Sequence, residues 1–280
     1  MTRWINVEVR HRIIVAGLWS AAAATLAVLA LIIGIVLWNG LPMITWSFLL
    51  EAPKEMGRAG GIFPAIVGTV AVTLLAIIVA TPIGVGSAVY LTEYTSESFL
   101  TRVIRFGAEC LSGIPSIIFG LFGFIFFVIQ LRMGWSVMSG GLTLAVMILP
   151  TIMRTAEEAV KSVPESYREA SFSTGATRWQ TVTQVVLPAA LPGIVTGIVL
   201  GIGRGVGETA AVIFTAGSSL HIPTSVFSPG RTMAVHFYIL AREGLSMPHA
   251  YGTAAVLVIL ILAINVTANW LMLRFRAKTS

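Results

Sequence analysis

Six stretches of this chain are apolar for long enough to cross about 30 Å of hydrocarbon as helices, and this limits the fold before anything else is weighed. They lie at 13–38, 62–91, 103–131, 140–160, 189–217 and 251–273. Lipid offers no hydrogen bonds, so every backbone polar group in such a stretch must be satisfied within it, as a helix does. Composition agrees. Hydrophobic residues make up 56% and charged residues 11% of the chain, and mean hydropathy is +0.89. These values exclude a soluble domain with a large core. The expected fold is all-α and integral to a membrane, with six transmembrane helices.

Charge sets the orientation. An even number of spans puts both termini on one side. Placing them in the cytoplasm gives that side Arg3, Arg10, Arg12, Arg102, Arg105, Arg154, Lys161, Arg168, Arg178, Arg274, Arg276 and Lys278. The other side holds Lys54, Arg58, Arg132, Arg231 and Arg242, and Arg204 stays inside a span. Twelve against five follows the positive-inside rule, so the net charge of +6 needs no nucleic acid to explain it. The chain then divides into a cytoplasmic N-terminus 1–12, a transmembrane domain 13–273 and a cytoplasmic C-terminus 274–280. The first apolar run lacks a small-residue cleavage site and reads as a retained helix. Cys110 is the lone cysteine, so an intrachain disulfide or a cysteine metal site is excluded. Pro115 and Pro150 predict kinks or breaks in the third and fourth spans. Outside, 39–61 and 218–250 are long loops, and 232–242 predicts a short interfacial helix. His221, His236 and His249 fall in the second of these without metal-ligand spacing and are expected to be solvated.

One polar segment, 161–188, separates the fourth and fifth spans. It contains Glu169-Ala170-Ser171, three residues, Gly175, nine residues, then Val185-Val186-Leu187-Pro188. Ser162-Val-Pro-Glu165 and Thr177-Arg178-Trp-Gln180 both have the capping-box form, which predicts two short helices. Gly175 suits the left-handed position that ends the first, and Pro188 is expected to stop the second. A charged, capped hairpin of this kind fits the cleft of another protein better than it fits catalysis. Trp179 reads as a contact anchor within it. The alternative is an ordinary linker.

Inside the membrane, the fifth span carries Gly201-Ile-Gly-Arg204-Gly-Val-Gly-Glu208-Thr209. Ionisable groups at this depth usually face a bundle interior or a pathway. Arg204 and Glu208, four apart, are expected to share a helical face and neutralise each other. Two readings stay open: Arg204 as an anion ligand whose guanidinium forks onto phosphate oxygens, or a structural pair that fixes register. Gly197, Gly201 and Gly205, and again Gly203 and Gly207, are spaced for close backbone approach. Glu109 in the third span is a second buried-carboxylate candidate. The following Ser112-Gly-Ile-Pro115-Ser116 is either a break that exposes backbone to a cavity or a packing kink.

No G-x-x-x-x-G-K-[ST], G-x-S-x-G or H-E-x-x-H occurs, so the chain lacks these routes to its own ATPase, hydrolase or metalloprotease chemistry. The 161–188 layout resembles the EAA loop of binding-protein-dependent type I ABC-importer permeases. The wider chain, from about Gly60, resembles the PstA-type phosphate branch of that family. The matching runs are TPIGVGSAVYLTEY, GIPSIIFGLFGF, GGLTLAVMILPTIMRTAEEAVKSVPESYREAS and GRGVGETAAVIFTAG. Ser171 replaces the usual Ala. Ala211 stands where many relatives have Pro, which implies a less kinked helix there.

The resemblance implies a non-catalytic permease in a bacterial inner (plasma) membrane. It forms half of a phosphate pathway with a PstC-type permease, couples to two PstB-type ATPase copies that use ATP and Mg, and receives phosphate from a periplasmic or lipid-anchored PstS-type binding protein. The chain itself is expected to bind no cofactor, metal or nucleic acid, and to contact membrane lipid. The implied pathway residues are Arg204, Glu208, Thr209, Glu109, Ser112 and Ser116. The implied ATPase-coupling residues are Glu169, Ala170, Ser171, Gly175, Arg178, Leu187 and Pro188. The alternatives are an importer for another oxyanion, such as sulfate or phosphonate, or a membrane enzyme or channel.

Overall fold

The computed structural model describes residues 7–96 and 98–279. Arg3, in the expected N-terminal tail, lies outside the described residues, as do the side chains of Arg274, Arg276 and Lys278. The chain begins with α1 (Val7–Gly40), almost wholly exposed, which meets the final helix α12 (Met247–Thr279). Gly40 allows that meeting, because a Cβ there would sit 2.6 Å from that of Ala255.

A small cap follows: α2 (Trp46–Leu50) and a two-residue antiparallel pair, β1 (Pro53–Lys54) with β2 (Ala59–Gly60). Next come α3 (Phe63–Val89), which continues through a π turn at Tyr90–Tyr94, and α4 (Phe99–Gly113). Then α5 (Ser116–Gly123) runs on as a π segment over Phe124–Gln130, and α6 spans Val137–Lys161.

The third apolar stretch is not one straight helix. α4 and α5 meet at 101°. Pro115 has no N–H and forces the residue before it out of helical geometry, and Ile114 is indeed extended at φ −73°, ψ 132°. α4 is amphipathic, with Phe99, Leu100 and Phe106 exposed and Arg105 and Glu109 engaged with α6. Five described helices remain long and apolar enough to span, or six if the bent pair counts as one. At Pro150 there is no break: α6 runs through it as one helix.

α6 is the central element. Leu144, Met147, Ile148 and Ile152 are fully buried against Val72, Ala76 and Ala80 of α3. Lipid is as apolar as these side chains, so close packing rather than exclusion of water holds the helices together. Small residues make it close. Gly197, Gly201 and Gly205 of α9 (Leu187–Val206) meet Thr155, Ile152 and Leu144 of α6, where an added Cβ would come within 2.9, 3.3 and 3.2 Å. The other row, Gly203 and Gly207, meets no neighbouring helix.

Between α6 and α9 lie α7 (Glu165–Ser173) and α8 (Arg178–Thr181). Pro188 does not stop the second of these. A π turn at Val182–Val186 widens the ladder just before it, and α8, the π turn and α9 form one helix from Arg178 to Val206. The fifth span therefore starts earlier and ends earlier than 189–217. After Val206 the chain breaks, then resumes as α10 (Ala210–Thr215), despite Ala in place of Pro at position 211. α11 (Met233–Arg242) is helical as expected and capped by the Thr232 hydroxyl, but Met233 to His236 are buried in the bundle rather than laid on its surface.

Candidate functional site

At one end of the bundle, α7 and α8 form the hairpin. Gly175 adopts φ +82°, the left-handed conformation that ends α7, and donates its N–H to the Phe172 carbonyl at 2.9 Å. Thr177 and Gln180 form a reciprocal capping box at the start of α8. The other proposed box does not form. Pro164 itself is the N-cap of α7, and the Ser162 hydroxyl donates back to the Ala159 carbonyl at 2.8 Å, closing α6 instead. The Ser171 and Thr181 hydroxyls lie 2.9 Å apart and tie the two arms together. Glu169, Ala170, Arg178 and Pro188 are exposed, Leu187 is half-buried, and Tyr167, Phe172 and Trp179 add exposed rings.

The inner side of the hairpin holds a buried ion pair that sequence reasoning missed. Arg168 and Glu93 are each 8% exposed, with Nη2 of Arg168 2.7 Å from Oε1 of Glu93. The bond from Glu93 holds the guanidinium above its ordinary pKa despite burial. Arg178 lies over the Tyr94 ring at 5.6 Å.

Deeper in, Arg204 and Glu208 do not pair. α9 ends at Val206, so the two no longer share a helical face. Glu208 caps α10, accepting from the Ala211 N–H at 3.1 Å. Arg204 is half-buried, and its polar contact is Nη1 to the Thr151 hydroxyl at 3.5 Å; no carboxylate partners it among the described residues.

Thr151 and Arg154 are three apart, hence on one face of α6. Arg154 binds Glu109 at 2.7 Å, and Glu157 holds both Arg105 at 2.8 Å and Lys161 at 2.6 Å. Glu109 is thus exposed and paired, not a buried carboxylate. Arg105, Glu109, Arg154, Glu157 and Lys161 line a cleft of about 140 Å³ at the hairpin end. Ser112 is exposed and only closes its own helix, onto the Glu109 carbonyl, and Ser116 is half-buried; neither meets Arg204. Thr209 lines a different cavity of about 960 Å³, mostly apolar, toward the opposite end beside Trp135, Tyr238 and Arg242. The cluster of Arg154, Glu157 and Glu158 at the end of an otherwise apolar helix is the signal that marks this end of α6.

α11 departs from expectation at one residue. His236 is 1% exposed rather than solvated. Arg231 can only donate, so His236 Nδ1 accepts from it at 3.2 Å and the neutral ring carries its proton on Nε2, which has no partner. Burial, then the charges of Arg231 and His249, lower its pKa to about 4.

A bundle of lipid-length helices, a capped polar hairpin at one end and a half-buried guanidinium with no carboxylate partner among the described residues fit a multi-pass membrane permease subunit. Residues 80–280 match the family described as binding-protein-dependent transport system inner membrane component, and the chain belongs to that family. As a member it is a non-catalytic, inner-membrane permease subunit of the ABC importers.

It is 34% identical over 274 residues to the probable ABC transporter permease protein YqgI of Bacillus subtilis strain 168, covering 91% of this chain and 92% of that protein. It is 32% identical over 270 residues to the phosphate transport system permease protein PstA of Xylella fastidiosa strain Temecula1, covering 91% and 93%. A bacterial alginate ABC transporter in complex with alginate pentasaccharide-bound periplasmic protein shares the fold, with a TM-score of 0.67 at 17% identity over 98% of each chain. The inward-facing MetNI methionine ABC transporter shares it too, with a TM-score of 0.62 at 22% identity over 74% of this chain and 93% of that one.

Proposed function

We propose that this chain is the PstA-type permease subunit of an ATP-driven phosphate importer, forming half of the translocation pathway. The observation that carries the reading is Arg204, a half-buried guanidinium at membrane depth with no carboxylate partner among the described residues. A charge in that position is costly unless something neutralises it, and a passing oxyanion does so while using the guanidinium fork. The similarity to PstA proteins supports phosphate as that oxyanion.

In this reading a PstC-type chain supplies the other half of the pathway, and two PstB-type ATPase subunits grip the 161–188 hairpin from the cytoplasm. A PstS-type protein delivers phosphate to the end that carries α11. ATP and Mg belong to the ATPase. Both termini are cytoplasmic. Thr209 lies on the outer approach. Arg154 and Glu109 mark the inward exit, past Arg204 along α6.

The test is uptake of labelled phosphate in cells carrying the whole assembly. Saturable uptake that excess sulfate and phosphonate leave unchanged, and that stops when the ATPase is removed, is the expected result. Equal displacement by sulfate or phosphonate would move the assignment to another oxyanion. Uptake that persists without the ATPase would contradict an importer altogether.

A further inference from the structure

The hairpin that offers rings and charges outward keeps one arginine turned inward, and that arginine joins three elements. Arg168 Nη2 and Nε bind the Glu93 carboxylate at 2.7 and 3.2 Å, in the π turn that ends α3. Nη1 donates to the Val163 carbonyl at 2.8 Å and Nη2 to that of Val160 at 3.1 Å, at the end of α6. The second arm reaches the same π turn through Arg178 and Tyr94. Both arms of the hairpin therefore clamp the end of α3.

A buried ion pair is weak evidence for stability, because apolar residues of similar size often hold as well or better. What the pair supplies is direction. Apolar packing lets one surface slide on another, whereas a guanidinium with bonds to two fixed carbonyls and a carboxylate has one seat. From that seat the contacts run on: α3 carries Gly84, whose Cβ position lies 3.0 Å from Ile152 of α6, and Ile152 adjoins Thr151, the contact of Arg204.

We infer that Glu93 and Arg168 are positioning residues that transmit movement of the hairpin into α3 and so to the Arg204 region. This rests on the coupling role of the hairpin in the proposed function, but not on phosphate as substrate. It goes beyond docking: the outer face of the hairpin receives the ATPase, and this inner pair passes the stroke on.

The test uses the complex assembled with its ATPase, carrying Cys110→Ser and a reporter Ser218→Cys on the wall of the outer cavity. In the parent, the rate at which a polar maleimide modifies the reporter changes when ATP and orthovanadate are added. Glu93→Gln with Arg168→Gln removes both charges and leaves no lone ion buried. The ATPase should still co-purify and hydrolyse ATP, while the nucleotide-dependent change in rate shrinks about tenfold. A purely structural pair predicts fewer complexes with the full change in each, and that result overturns the inference.

Should the double variant fail to accumulate, Glu93→Leu with Arg168→Met fills the same space without charge, and an unreduced change there overturns it equally. No change in the parent would overturn it together with the coupling role of the hairpin, leaving the anion assignment to the uptake assay.

Discussion

His236 shows what one buried group can do to the whole. Its second proton would have to sit on Nδ1, where Arg231 already donates. The folded pKa of about 4 lies below the ordinary 6.5, so the fold favours the neutral ring. That contribution is fully present above pH about 6.5 and is lost as pH falls from there toward 4, on the order of 3 kcal/mol in all. Thermal unfolding of the purified protein at pH 7.5 and pH 4.5 should show this loss, and His236→Gln should flatten it. Unchanged pH dependence in the variant would remove His236 as its cause. Arg204 and Glu208 give a second residue-scale prediction. Because Glu208 caps α10 and leaves Arg204 alone, the stability effects of Arg204→Ala and Glu208→Ala should add within about 0.5 kcal/mol. A coupling well above that would restore the ion pair that their spacing of four suggests. The spacing was legible; the break after Val206 that separates them was not, because four glycines in the run, Gly201, Gly203, Gly205 and Gly207, leave the helix end to be decided by packing.

The hairpin is where local chemistry could be read and where it misled. Thr177, Gln180 and Gly175 do what their types predict, since capping and left-handed turns depend on a few neighbouring residues. Thr177→Ala should lower stability by about 1 kcal/mol through the lost cap. Glu169→Lys, at an exposed position, should leave the fold intact and weaken ATPase co-purification by reversing charge on the docking face. Normal association would take Glu169 out of the interface. Prolines read less well. Pro115 breaks its helix because Ile114 goes extended, whereas Pro188 follows a π turn that absorbs it and Pro150 lies inside the most tightly packed helix. The residue type is the same in each case, and the tertiary setting decides the outcome. The Glu93–Arg168 pair, 75 residues apart in the chain, had no local signature at all.

At the scale of the molecule, lipid length and helical period made most of the bundle legible, because a membrane leaves few alternatives. The exception is the third stretch, whose polar face on α4 turns toward the Arg154 and Glu157 side chains of α6 instead of crossing straight. The twelve-to-five charge count predicts which side faces the cytoplasm, and that prediction is open to direct test. Cysteines at Ser166 and Ser225 in a Cys110→Ser background should label from opposite faces of the membrane, the first from the cytoplasm; labelling from one face would contradict the orientation. Passage of an oxyanion at Arg204 is decided by labelled-phosphate uptake in Arg204→Lys and Arg204→Ala at matched amounts of assembled complex. Lysine keeps the charge and loses the bidentate fork, so uptake should fall about tenfold or more, and further with alanine, while ATPase association stays normal. Undiminished uptake in both variants would show that the anion does not pass by Arg204.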